Sequence, residues 1–108
     1  MEEKEFRSVA DDTLFKLLER LDEIELDDAD VELADGVLTV EFEDGKKLIV
    51  SRQSAASQLW LAEPGGGWHF DHSDGIWICD KRGTDLIEDL ARLITEKTGV
   101  HVKLRHDS

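Results

Sequence analysis

Apolar and small residues recur along the first 24 positions at steps of three and four: Phe6, Val9, Ala10, Thr13, Leu14, Leu17, Leu18, Leu21 and Ile24. That period, uninterrupted by Gly or Pro, predicts one amphipathic helix of about 20 residues. The period then drops to two. Asp35-Gly36, Asp44-Gly45 and Asp74-Gly75 each separate runs rich in Val, Ile, Leu or aromatics. Asp-Gly accommodates the positive φ angles of tight hairpin turns, so each pair marks a hairpin. Gly65-Gly66-Gly67 after Pro64 supplies a fourth turn. The predicted strands are Val31–Ala34, Val37–Glu43, Lys47–Ser51, Gln58–Glu63, Trp68–Asp71 and Ile76–Asp80. The helical period returns with Leu86, Ile87, Leu90, Ala91 and Ile94. Thr84 or Asp85 can cap this second helix, with Glu88 placed for a capping box, and Gly99 suits its end. A short tail from Val100, carrying Lys103 and Arg105, is expected to fray, as are residues 1–4.

Helix, antiparallel meander, helix reads as α+β: two helices packed on one face of a twisted antiparallel sheet of about six strands. The chain reads as one domain, 1–108, with no internal repeat or linker. Alternation assigns the faces. Leu38, Val40, Phe42, Leu59, Leu61, Trp68 and Phe70 are expected to point inward, which turns Trp60, His69 and Asp71 outward. A sheet face carrying a Trp beside Gln and His is a candidate contact surface, unless a loop covers Trp60.

Charge sharpens this picture. Up to Asp44 there are 17 acidic against 4 basic residues, and from Gly45 onward 9 of each, so the whole net charge of −13 lies in the first 44 positions. Such a balance argues against DNA, RNA or an anionic membrane as partner. No apolar run approaches the ~20 residues of a bilayer span. The acidic start Met1-Glu-Glu-Lys-Glu-Phe6 fits neither a secretory signal nor a transit peptide. A lone Cys79 excludes an internal disulfide or multi-Cys metal site, and the expected compartment is a reducing cytoplasm.

The densest acid, Glu19, Asp22, Glu23, Glu25, Asp27, Asp28 and Asp30, falls where the first helix ends. Glu19 lies three and four residues from Asp22 and Glu23, which sets like charges on one helical face. Carboxylates at a helix C-terminus also oppose its dipole, at roughly 0.3–1 kcal/mol each. Three readings stay open: a solvated face, a weak site for a hard cation such as Fe²⁺/Fe³⁺, Mn²⁺, Ca²⁺ or Mg²⁺, or a docking face for a basic protein. An EF-hand is excluded, because a loop starting at Asp28 would place Leu33 where Gly is required. His69 and His72 should point to opposite faces of a strand with no third ligand near. Cys79, inside a strand, is expected to be buried and inert. Gly65–Gly67 leads into a strand and therefore is not a phosphate cradle. No nucleophile elbow and no Glu-x-x-His pair for a two-iron centre is present, so no enzymatic site is expected.

The order of these parts resembles the bacterial, CyaY-type branch of the frataxin family. The resemblance rests on Gln53 ahead of Gln58-Leu59-Trp60-Leu61-Ala62, then Gly66-Gly67-Trp68-His69-Phe70-Asp71 and Trp77-Ile78-Cys79-Asp80, and runs from about Glu5 to Gly99. Ser51 stands where that family usually has Asn, and Ala55 where Pro is common. The resemblance implies a frataxin-like α/β sandwich and an iron-binding regulator of iron–sulfur cluster assembly. It maps Glu19, Asp22, Glu23, Glu25, Asp27 and Asp28 to an acidic ridge that binds iron weakly and docks a cysteine desulfurase. It maps Gln53, Gln58 and Trp60 to a sheet surface facing the assembly machinery, including the cluster scaffold protein. A monomer in the absence of metal is expected. The rival reading is an acidic docking module with incidental metal binding.

Overall fold

A computed structural model describes residues 2–104, and Arg105 of the expected tail lies outside them. The chain runs α1 (Glu3–Ile24), β1 (Ala29–Ala34), β2 (Val37–Phe42), β3 (Lys47–Gln53), a 3-10 turn at Ser54–Ala56, β4 (Gln58–Glu63), β5 (Gly66–Ser73), β6 (Ile76–Cys79) and α2 (Leu86–Thr98). The six strands pair in sequence order and each pair is antiparallel. The expected α+β architecture is therefore the observed one, with element boundaries shifted by a few residues.

The turns explain the short connections. Asp35 and Gly36 (φ 50° and 75°) and Asp74 and Gly75 (φ 50° and 85°) place both central residues in the left-handed region, which matches the right-handed strand twist. Asp44-Gly45 is a different device. Only Gly45 has positive φ, its N–H bonds the Phe42 carbonyl, and residues 43–46 form a four-residue loop. β5 begins at Gly66, two residues earlier than predicted, because Gly66 and Gly67 pair with Glu63 and Ala62 in the ladder.

Burial follows the two periods. Phe6, Ala10, Leu14, Leu17 and Leu21 of α1 and Leu86, Leu90 and Ile94 of α2 share one core with Leu38, Val40, Phe42, Leu48, Val50, Leu59, Leu61, Phe70, Trp77 and Cys79 of the sheet. Both helices thus cover one sheet face. Trp77 locks α1 to the last hairpin: its indole N–H donates to Thr13 Oγ1 at 3.0 Å, and Phe6 meets its ring edge-on at 6.0 Å. Trp68 points inward as expected but is only half-buried. The Arg82 guanidinium covers its ring at 3.7 Å, and its N–H donates to Glu63.

The tail differs from expectation. Val102 and Leu104 are buried in the core although residues 101–104 form no helix or strand. The Val102 N–H donates to Thr95 Oγ1 at 3.2 Å, and Arg20 Nε donates to the Lys103 carbonyl at 2.8 Å. Apolar side chains on alternate positions and two borrowed hydrogen bonds hold this strap between the helices. The N-terminal expectation shifts likewise, since α1 is formed from Glu3.

Candidate functional site

The acidic residues lie where α1 turns into the sheet. Glu19, Asp22 and Glu23 occupy the last turns of α1, and no basic residue stands in its final turn. Glu25 caps the helix in the left-handed conformation (φ 55°), its N–H bonding the Leu21 carbonyl. Asp27 and Asp28 lie between that cap and β1, and Asp30 on β1 itself. All seven are exposed. Arg20 meets Glu23 at 3.2 Å, a helix-surface pair with Glu23 more than half in water. The donor set is hard oxygen throughout, which suits iron or another hard divalent cation. Among the described residues, however, no three His, Cys, Asp or Glu side chains are grouped closely enough to hold a metal ion. The ridge is a field of negative potential spread from the last turns of α1 to the start of β1.

The second surface is the open face of the sheet. Trp60 is half-buried, and the His69 ring directly across the β4–β5 ladder stacks on it at 4.3 Å and 17°. The stack covers one face of the indole ring, and Ser51 lies across the β3–β4 ladder from Trp60. Trp60 Nε1–H donates to Gln58 Oε1 at 2.8 Å, while Gln58 Nε2 donates to Asp71 Oδ1 at 3.0 Å. Gln53 closes β3, and its Nε2 donates to Ser51 Oγ at 3.0 Å, so the serine keeps a polar contact at this position. Asp30 and Glu32 are exposed on β1, at the sheet edge three strands away from β4.

The remaining candidates resolve simply. His72 turns inward and tilts against Trp77 at 4.9 Å, opposite in face to His69. Cys79 is a buried free thiol. A depression of about 540 Å³ lies between α1, the β5–β6 hairpin and the start of α2, and is lined by Ser8, Asp12, Lys16, His72, Trp77 and Asp85 among others. None of the ridge residues lines it.

Sequence patterning missed two charged devices. Asp89 looks like another exposed helix acid, yet it is only 5 % exposed. It accepts from Thr84 Oγ1 at 2.6 Å and from Arg82 at 3.0 Å. Arg52, inward-facing on β3, pairs with Asp11 of α1 beneath the first hairpin. A side chain at position 36 would start 2.8 Å from the Arg52 guanidinium carbon, so Gly36 serves the close approach as well as the turn. Only the chain reversal that brings residues 11, 36 and 52 together could reveal this.

A family model described as a frataxin-like domain matches residues 1–100. The chain is 46% identical over 98 residues to the iron-sulfur cluster assembly protein CyaY of Thioalkalivibrio sulfidiphilus, spanning 88% of this chain and 92% of that protein. Its fold matches frataxin from Psychromonas ingrahamii with a TM-score of 0.92 at 33% identity, over 98% of this chain and all of that one. It also matches trimeric frataxin from Saccharomyces cerevisiae, solved in complex with ferrous iron, with a TM-score of 0.76 at 33% identity, over 85% and 87% of the two chains. The family model spans both helices and the whole sheet: this chain belongs to the frataxin family.

Proposed function

We propose that the chain is a non-enzymatic, iron-binding regulator of iron–sulfur cluster assembly that docks a cysteine desulfurase through its acidic ridge. One observation carries the reading. Exposed carboxylates crowd the C-terminal end of α1, where the dipole and their mutual repulsion both disfavour them, with no basic residue in the last turn. A placement that weakens the fold calls for a ligand, and both an iron ion and a basic protein face answer it. The relative from Thioalkalivibrio is named for iron–sulfur cluster assembly, and a yeast relative is known with ferrous iron, which supports the pathway and the metal of this reading. Iron is cargo in this reading. Glu19, Asp22, Glu23, Glu25, Asp27 and Asp28 would hold it weakly, because exposed carboxylates without a cage gain little over hydration. The sheet surface with Gln53, Gln58 and Trp60 would face the cluster scaffold protein. Among the described residues no helix is long and apolar enough to cross a membrane, and the proposed compartment is the bacterial cytoplasm.

A second reading, desulfurase docking with only incidental metal binding, is favoured by the spread of the ridge carboxylates. Two measurements separate the possibilities. Titrating purified cysteine desulfurase, charge reversal at Asp22 and Glu23 abolishes binding whereas Trp60→Ala spares it; the opposite pattern refutes the docking assignment. Millimolar Fe²⁺ or Mn²⁺ raises the melting temperature beyond NaCl of equal ionic strength if the ridge binds cations. An equal rise with NaCl leaves the docking module alone standing.

A further inference from the structure

The open face of β4, β5 and β6 carries one continuous hydrogen-bond chain. It starts at the Trp60 indole N–H, passes through the Gln58 amide, and ends on two carboxylates, Asp71 Oδ1 at 3.0 Å and Asp80 Oδ2 at 3.4 Å from Gln58 Nε2. Register makes the chain possible. Gln58 faces Asp71 and Trp60 faces His69 across the same ladder, and Asp71 in turn pairs with Ile78, two residues before Asp80. A primary amide has two N–H donors on one side and a carbonyl oxygen on the other. Two carboxylates accept only, so they draw the NH₂ end toward β5 and β6 and leave the carbonyl end aimed at the indole. The polar atoms of Gln58 are therefore used within its own chain.

We propose that Asp71, backed by Asp80, is a positioning residue of the sheet surface: through the Gln58 amide it fixes the Trp60 indole against His69 in the orientation a docking partner meets. This rests on the reading of that surface as the face toward the scaffold protein. Its consequence is specific. With the indole N–H used and one ring face covered by His69, the half-exposed ring presents apolar carbon. The group it recognises is an apolar side chain, not a hydrogen-bond acceptor. A ring already held in its bound rotamer also loses less freedom on association.

The test uses the full chain, ¹⁵N-labelled, with the scaffold protein as titrant. Asp71→Ala is expected to speed solvent exchange of the Trp60 indole N–H in the free protein and to weaken scaffold binding about threefold to tenfold, the scale of ordering one side chain. Its melting temperature should hardly move, because Asp71 is exposed. Asp71→Asn retains an acceptor oxygen for Gln58 while losing the charge, and is expected to bind as the wild type does. Equal losses in Asp71→Ala and Asp71→Asn would overturn the proposal in favour of direct charge attraction. So would an unchanged Asp71→Ala beside a weakened Trp60→Ala. Full scaffold affinity in Trp60→Ala would refute the docking reading of the sheet itself, and the proposal with it.

Discussion

Two side chains of this protein sit where their chemistry is costly, and they behave differently. Glu25 ends α1 with φ 55°, a conformation that costs a non-glycine L-residue about 1–2 kcal/mol. Nothing in the structure requires a carboxylate for that cap, since the cap bond comes from its backbone N–H. Glu25→Gly is therefore expected to stabilise the fold by about 1 kcal/mol, read as a melting temperature higher by roughly 4 °C. If the ridge docks the desulfurase, the same variant binds it more weakly, so stability and binding move in opposite directions. Asp89 is the reverse case, a buried charge that the fold uses. Asp89→Ala strands the Arg82 guanidinium and the Thr84 hydroxyl, and is expected to cost about 3 kcal/mol in urea unfolding. That figure sits at the low end for a broken buried pair because Arg82 still reaches water. From sequence, Asp89 and the ridge acids are indistinguishable; only burial tells them apart.

Among the elements, the ends of the two helices make an instructive pair. α2 is built by rule: the Asp85 carboxylate accepts from the Ile87 N–H at 2.8 Å, acids fill the first turn, Lys97 stands in the last, and Gly99 takes the left-handed stop at φ 75°. α1 breaks the rule at its C-terminus, with acids in place of bases. Lys97 does more than oppose the α2 dipole. It pairs with Asp44 of the β2–β3 loop and, with a bond from the Lys46 N–H, holds the Asp44 carboxyl below its ordinary value of 3.8. A group whose pKa is lower folded than unfolded adds stability above the unfolded value and loses it as pH falls through the folded one. Lys97→Ala is thus expected to be less stable than the wild type at neutral pH. The gap should close in acid, below pH 3.8, as Asp44 protonates; a gap independent of pH would assign the loss to packing on Phe42 instead.

At the scale of the molecule, the C-terminal strap ties α1 to α2, with the Arg20 Nε bonding the Lys103 carbonyl and the Val102 N–H bonding Thr95 Oγ1. Val102 and Leu104 are each 4 % exposed and belong to the same core as Phe6 and Ile94. Leu104→Ala is expected to cost about 2–4 kcal/mol, the range for truncating a buried leucine, measured by urea unfolding. A loss below about 0.5 kcal/mol would mean that the strap is detached in solution. The period-based reading missed this element because five residues with apolar side chains at 100, 102 and 104 are too short to signal anything. Burial there depends on a groove that exists only after α1 and α2 have packed.

The sequence by itself determined both helices, all six strands, the hairpins at the three Asp-Gly pairs and the inward side chains of β2, β4 and β5, because periodicity and Asp-Gly chemistry are local properties. It also located the acids at the end of α1, and its motif order matched a family. Tertiary structure alone decided what those charges do. It buried Asp89 among Thr84 and Arg82, set Arg52 on Asp11, docked the strap, and ran the bond chain from Trp60 through Gln58 to Asp71. It also spread the ridge carboxylates from the end of α1 to β1 without grouping three of the described side chains closely enough to hold a metal ion. The reason is physical. An apolar residue needs only to leave water, which a repeating pattern can arrange, whereas a polar or charged one needs a particular partner at about 3 Å, and chain reversal supplies that partner from far along the sequence.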